Sequence, residues 1–236
     1  DNALVDREAA VRAGIGWYGK NANVLIPGRG SWFVLGSVVT DAPLPEGQPM
    51  GDGCGSCRRC LDSCPTGAIV APGVVDASRC LAWLVQAPGA IPVEFRESMG
   101  GRLYGCDDCQ EVCPVGRSER DDEDFGAQAA DRDAFEILLA SDEELLEHFG
   151  AWYIADRDPR YLRRNALVAM ANTAPTDDGQ TAALIGRYLS DPDPLLRAHA
   201  VWAATRIGRS DLLGEASDEP DPTVREEIER VVARES

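Results

Sequence analysis

Apolar residues recur at helical spacing through most of the second half of the chain, and gather in short runs bounded by glycine and proline in the first. Segments near 131–140, 142–149, 160–173, 179–190, 194–206 and 222–234 repeat apolar side chains every three to four residues, the period of a helix with one buried face. Asp191-Pro-Asp-Pro194 and Asp221-Pro222 set an N-cap acid and a first-turn proline where two of these helices begin. In the first half, Arg7–Ala13 is predicted helical and is stopped by Gly14 and Gly16. Asn23–Pro27 and Ser31–Thr40 are apolar runs separated by Gly28-Arg29-Gly30, which predicts a hairpin. Two strands alone are marginal, so further chain is expected to complete that sheet. Asp76 is predicted to cap a helix over Ala77–Gln86, with Leu81, Leu84 and Val85 on its apolar face.

The helical half also repeats. Arg164-Asn-Ala-Leu-Val-Ala-Met and Arg197-Ala-His-Ala-Val-Trp-Ala resemble each other at a shift of about 33 residues, with a weaker echo at Val224-Arg225. A short helical repeat of the HEAT type is expected, presenting a curved surface to something large.

Charge divides the chain the same way. Residues 1–120 carry 14 acids against 11 bases, and 121–236 carry 26 against 12, within a net charge of -17. Such a field opposes indiscriminate phosphate binding, so a nucleic-acid partner needs a local basic patch. Arg157, Arg160, Arg163 and Arg164 form one cluster, with Arg160, Arg163 and Arg164 at i, i+3 and i+4. The residues alone allow ion pairing to neighbouring acids as readily as a phosphate site. The acidic run Asp121-Asp122-Glu123-Asp124 reads as a solvated linker.

All eight cysteines fall between Cys54 and Cys113. No charged-then-apolar leader precedes the first helix, and no apolar run approaches the roughly 20 residues that span a bilayer. A cytoplasmic protein, met as a fragment or a processed chain because it begins at Asp1, is therefore expected. In that setting a disulfide framework is the weaker reading. Cys54-Gly-Ser-Cys57-Arg-Arg-Cys60-Leu-Asp-Ser-Cys64-Pro65 has the bacterial ferredoxin spacing, and Cys106-Asp-Asp-Cys109-Gln-Glu-Val-Cys113-Pro114 is a second set whose first ligand is displaced to Cys80. Zinc also takes Cys-x2-Cys pairs, but usually as two separated pairs. In two-cluster ferredoxins the fourth cysteine serves the other cluster, which assigns Cys54, Cys57, Cys60 and Cys113 to one 4Fe-4S cluster and Cys64, Cys80, Cys106 and Cys109 to a second. Electron delivery is the function that follows.

Lys20 is the sole lysine, in a glycine-bounded loop, and by itself reads as a surface residue. Of the two histidines, His199 lies in an alanine-rich helix where packing is a better account than catalysis.

Together, Ala13-Gly14-Ile15-Gly16-Trp17 with Gly19-Lys20, Gly30-Ser31-Trp32-Phe33, Cys54–Ile69, Tyr104-Gly105-Cys106-Asp107-Asp108-Cys109-Gln110 and Leu162-Arg163-Arg164-Asn165 carry a resemblance to the tRNA epoxyqueuosine reductases. The resemblance implies an α+β chain in three parts: residues 1–50 as the end of a cobalamin-binding α/β region, 51–120 as a ferredoxin-like two-cluster domain, and 121–236 as a HEAT-like tRNA-binding domain. It implies two 4Fe-4S clusters and cobalamin as cofactors, reduction of epoxyqueuosine to queuosine in tRNA, a low-potential electron donor and a monomer. Lys20, Asn21, Val24, Leu35, Cys106 and Asp107 become the expected corrinoid neighbours, and Arg160, Arg163 and Arg164 the expected tRNA contacts. The family's proton donor falls one residue before Asp1, or on Asp1 if the register slips by one. The fragment alone is therefore expected to be poorly active. A reductive dehalogenase, or a ferredoxin-type carrier with a docking repeat, are the alternatives.

Overall fold

The computed structural model describes residues 5–116, 134–175, 178–213 and 218–235. Asp1, the acidic run at 121–124 and the predicted helical start at 131–133 lie outside the described residues. The chain divides into two compact units: 1–80 with 106–130, and 81–105 with 131–236. This division cuts across the expected boundaries, because residues 81–105, between Cys80 and Cys106, cluster with the helical unit instead of remaining within 51–120.

The first unit is small and loop-rich. Helix α1 (Asp6–Arg12) leads into strand β1 (Trp17–Tyr18), which pairs antiparallel with β2 (Val24–Leu25) through Trp17↔Leu25 and Tyr18↔Val24. The predicted second hairpin strand at Ser31–Thr40 is not formed. Only the Ile26↔Gly30 bridge survives of that hairpin, and Val34, Val38 and Val39 are 97%, 91% and 87% exposed. A strand needs a neighbour for its backbone donors and acceptors, and this run has none among the described residues. Helix α2 (Arg59–Asp62) is followed by the β3 (Ile69–Ala71) and β4 (Val74–Val75) hairpin. Its turn is made by Gly73 at φ +75°, whose N–H donates to the Lys20 carbonyl at 3.0 Å.

Asp76 caps the next turn as predicted, accepting from the Ser78 N–H at 3.0 Å and hydroxyl at 2.6 Å. The helix it starts is not continuous, however. A 3-10 turn at Ala77–Arg79 ends at Cys80 in extended conformation, and α3 (Leu81–Leu84) begins afresh. The break turns Cys80 out of the helical register, and it marks the boundary between the units. Helix α5 (Asp108–Glu111) packs on α2 in the first unit.

In the second unit, α4 (Val93–Met99) follows α3, and α6 (Ala134–Leu139) through α11 (Pro222–Glu235) form the helical stack. Between them stand α7 (Asp142–Phe149), α8 (Arg160–Thr173), α9 (Gly179–Tyr188) and α10 (Pro194–Arg206), close to the predicted bounds. Caps explain the starts: Ser141 and Glu144 make a reciprocal capping box, and Asp178 and Asp193 accept from the Thr181 and Leu195 N–H groups. Helix α8 packs on α4, α6 and α10, and α10 packs on α9 and α11. Ala198, Val201, Val224, Ile228 and Val231 form the α10–α11 core. His199 is wholly buried, its Nε2 accepting from the Ile91 N–H at 3.2 Å and its Nδ1–H donating to the Leu195 carbonyl at 2.7 Å. Packing is its role, as expected.

The arginine cluster needs correction. Arg164 does not share an outward face with Arg160. It is 1% exposed and donates to the carbonyls of Leu84, Val85, Ala87 and Gly89 at 2.5–3.2 Å, supplying the donors that the end of α3 lacks. Asn165 adds bonds to the Val85 and Leu103 carbonyls at 2.8 and 2.9 Å. The Arg164-Asn165 pair therefore seats residues 84–103 on α8, and Arg164 cannot reach a phosphate. Arg163 is held by Asp142 at 2.5 Å and by the Ala140 carbonyl at 2.8 Å, with 15% of its side chain exposed. Arg160 also pairs with acids, Asp158 at 2.7 Å and Asp193 at 3.6 Å, but with 43% of its side chain exposed it is the most accessible of the three. Among the described residues no helix is long and apolar enough to cross a membrane.

Candidate functional site

The first unit brings cysteines of both motifs to one cavity. Loop 53–58 carries Cys54 and Cys57, α2 carries Cys60, and the turn after α5 carries Cys113. These four line one cavity with Lys20, Asn21, Leu25, Gly53, Arg59, Pro114 and Val115, a space of about 50 Å³ that opens to solvent. Burial pushes the Cys60 thiol up, and its neighbours Cys113 and Cys54 push it further; Cys113 is raised in turn by burial, Cys54 and Cys57. That space needs cationic charge to hold four thiolates.

Cys109 belongs to the second motif. Burial is the largest influence on it, followed by Cys106, Cys60, Cys80 and Cys64, and together they raise it to about 12. Cys64 behaves differently: burial pushes it up, but backbone donors of Ile69, Thr66 and Ala68 outweigh that and the thiol is lowered. The Ala68 N–H donates to Cys64 Sγ at 3.2 Å. Cys113, from the end of the second motif, thus joins Cys54, Cys57 and Cys60 at one cavity, while Cys109 has both Cys60 and the other three cysteines as neighbours.

Small residues let the loops approach. A Cβ on Gly53 would lie 2.6 Å from the Trp17 ring, so only glycine permits the packing there. That packing aims Trp17 Nε1 at Cys54 Sγ, 3.4 Å away. Lys20 and Asn21 were expected beside a corrinoid, but both grip the cysteine loops. Lys20 Nζ donates to the Gly55 and Cys57 carbonyls at 2.6 and 3.0 Å, and Asn21 Nδ2 to the Cys109 carbonyl at 3.3 Å. Val24 is 2% exposed in the β1–β2 ribbon, Leu35 is half-buried in the irregular stretch after it, and Asp107 is exposed beside Cys106.

Sequence reasoning did not single out Trp17 as a thiolate donor. The signal was present in the adjoining glycines, Gly16 and Gly53, since both leave room where backbone and ring converge.

Residues 53–116 match the 4Fe-4S double cluster binding domain, and residues 146–233 match HEAT repeats. An epoxyqueuosine reductase of Bacillus anthracis is 38% identical over 237 residues, covering 96% of this chain and 61% of its own length. The chain belongs with the epoxyqueuosine reductases. A solved epoxyqueuosine reductase from Bacillus subtilis superposes with TM-score 0.85 at 35% identity, covering 99% of this chain and 64% of that one. A further epoxyqueuosine reductase structure, with an epoxyqueuosine-modified tRNA-Tyr stem loop, matches at TM-score 0.83 and 35% identity over 98% of this chain and 63% of that one. The chain spans about three-fifths of the length of the curated epoxyqueuosine reductase it matches. The double-cluster match settles the chemistry of the cysteines in favour of iron–sulfur binding over zinc.

Proposed function

We propose that this chain is the cluster-bearing and helical portion of an enzyme that reduces epoxyqueuosine to queuosine in tRNA. The observation that carries the reading is the double-cluster cysteine motif at 53–116, within a chain whose relatives are epoxyqueuosine reductases along nearly its whole length. When bound, 4Fe-4S clusters supply electrons singly at low potential, and a cobalamin supplies the two-electron removal of the epoxide oxygen.

The residues of the chain fit the clusters. Four soft sulfur donors line an open cavity, and the Trp17 and Ala68 N–H groups point at Cys54 and Cys64, the outer hydrogen bonds that tune a cluster's potential. Lys20 ties the Gly55–Cys57 loop, fixing the positions from which those sulfurs project. For cobalamin the support is the family resemblance alone. Lys20, Asn21, Val24, Leu35, Cys106 and Asp107 are proposed to lie beside it on that resemblance.

The helical unit is the proposed tRNA surface, on the strength of its HEAT match and of the relative seen with a stem loop. Within the carried-over arginines, Arg160 is the phosphate contact, and Arg163 and Arg164 shape the helix that presents it. The decisive test is anaerobic turnover of an epoxyqueuosine-bearing stem loop by the full-length protein loaded with iron and cobalamin, followed by mass spectrometry of the nucleoside. Loss of one oxygen atom is expected. Unchanged epoxyqueuosine from fully loaded protein overturns the reading.

A further inference from the structure

The two Cys-x2-Cys steps at the hearts of the clusters carry opposite charge: Cys57-Arg58-Arg59-Cys60 in one set, Cys106-Asp107-Asp108-Cys109 in the other. We propose that the first set is the port where electrons enter, and that Arg58 and Arg59 dock a small acidic electron-carrier protein over it.

The port is superficial. Gly55, Ser56, Arg58 and Arg59 are all exposed, while the cavity lined by Cys54, Cys57, Cys60 and Cys113 lies directly beneath, with Arg59 on its wall. The Arg58 side chain is 68% exposed and its pairing with Asp62 is loose, at 3.4 Å. Asp52 and Asp62 offset part of this charge, but the Lys20 ammonium is fixed on the same cavity wall by its two carbonyl bonds. At the second set, Asp107, Asp108 and Glu111 present only acid. A negatively charged partner is repelled there and attracted at the first set.

The rest of the chain sharpens the choice. With a net charge of -17, an acidic partner meets repulsion over most approaches, so a basic rim fixes both where and how it lands. An RNA phosphate could use the same arginines, but gains nothing from adjoining a redox centre, whereas electron transfer requires that closeness. On docking, one electron leaves the carrier's reduced centre and enters the centre held by Cys54, Cys57, Cys60 and Cys113. No bond is made or broken and no proton moves. The inference rests on cluster binding, and needs no assumption about epoxyqueuosine as the final acceptor.

The test is anaerobic stopped-flow reduction of the iron-loaded protein by a reduced acidic flavodoxin, read from the flavin and cluster absorbance and needing no turnover. Opposite charges at the contact predict a second-order rate that falls about tenfold between low and high salt. Two acidic proteins meeting at random give the reverse, a rate that rises with salt, and that result overturns the proposal without any variant. The Arg58→Glu protein is expected to lose several-fold at low salt and much of its salt dependence, with iron content and dithionite reduction unchanged. Arg58→Lys restores the rate. A charge-reversed protein that is reduced normally by flavodoxin but binds a stem loop more weakly assigns the rim to RNA and overturns the proposal as well.

Discussion

Arg96 Nη1 and Glu227 Oε1 meet at 2.5 Å between side chains that are 3% and 5% exposed, joining α4 to α11 inside the helical unit. Burial pulls the Arg96 guanidinium down and Glu227 draws it back up, so the pair stays charged only because each partner is present. Arg96 also bonds the Ile91 carbonyl at 2.8 Å and lies over the Trp202 ring. Removing Glu227 strands Arg96, whereas Glu227 keeps Arg230 at 3.0 Å when Arg96 is replaced. Glu227→Gln is expected to cost about 3–5 kcal/mol in urea unfolding, Arg96→Met less, and Arg96→Met/Glu227→Leu markedly less than the sum. Additive losses would mean that the two groups act independently.

The corrected arginine cluster separates stability from RNA binding. Arg164→Lys keeps charge but loses the fork that serves four carbonyls of residues 84–89, and buried carbonyls left without donors cost about 1–3 kcal/mol each. A clear drop in unfolding midpoint is expected, with the salt dependence of stem-loop binding unaltered. Arg160→Gln should do the opposite. It leaves stability within about 0.5 kcal/mol and lowers the salt slope of binding by about one, the share of a single phosphate contact. A slope unchanged in Arg160→Gln removes that residue from the interface.

Helix positions were legible in the sequence because caps and apolar spacing act locally: Asp193-Pro194 and the Ser141–Glu144 box start helices wherever the chain places them. The cysteine sets were legible because their spacing is dictated by the cluster. What eluded the sequence depended on distant partners. Ser31–Thr40 has the composition of a strand but no neighbour among the described residues to bond it. Arg164 has the spacing of a surface residue, yet an otherwise bare helix end draws it inward. Residues 81–105 lie between two cluster cysteines in sequence, but Leu81, Leu84, Val85, Ile91 and Met99 bury their side chains in the helical unit. No local signal reports that preference.

His199 gives the helical unit a pH dependence of known sign. Burial holds its imidazole well below the ordinary value, Arg96 and Arg164 lower it further, and the Leu195 carbonyl opposes them weakly. The unfolded histidine binds a proton near pH 6.5 and the folded one does not, so stability is complete above that pH and declines as pH falls below it. The decline approaches about 1.4 kcal/mol per pH unit while only the unfolded state is protonated. Compared with the wild type in urea melts between pH 7.5 and 5, His199→Asn is expected to be less stable at pH 7.5 and flatter by up to that slope. Parallel pH profiles would place the titrating group elsewhere.

The crossed assignment of the fourth cysteines can be read without knowing either cluster's identity. Each single Cys→Ser change should remove one of the two clusters, taking iron from eight to about four per chain. The spectrum that remains names the set. Cys54→Ser and Cys113→Ser are expected to leave the same residual signal in electron paramagnetic resonance of the reduced protein, because Cys113 faces Cys54 and Cys57. Cys80→Ser and Cys64→Ser should leave the other, because the ferredoxin spacing assigns both to the set of Cys106 and Cys109. If Cys64→Ser instead matches Cys54→Ser, the motifs each close on themselves and the crossing is wrong. Serine is chosen because its smaller oxygen donor keeps the loop's shape while weakening the soft-metal bond, so the loss reports ligation and not collapse of the fold. Cys80→Ser is the most telling of the four, since the broken helix at 77–84 has no other evident purpose than to bring that sulfur to its set.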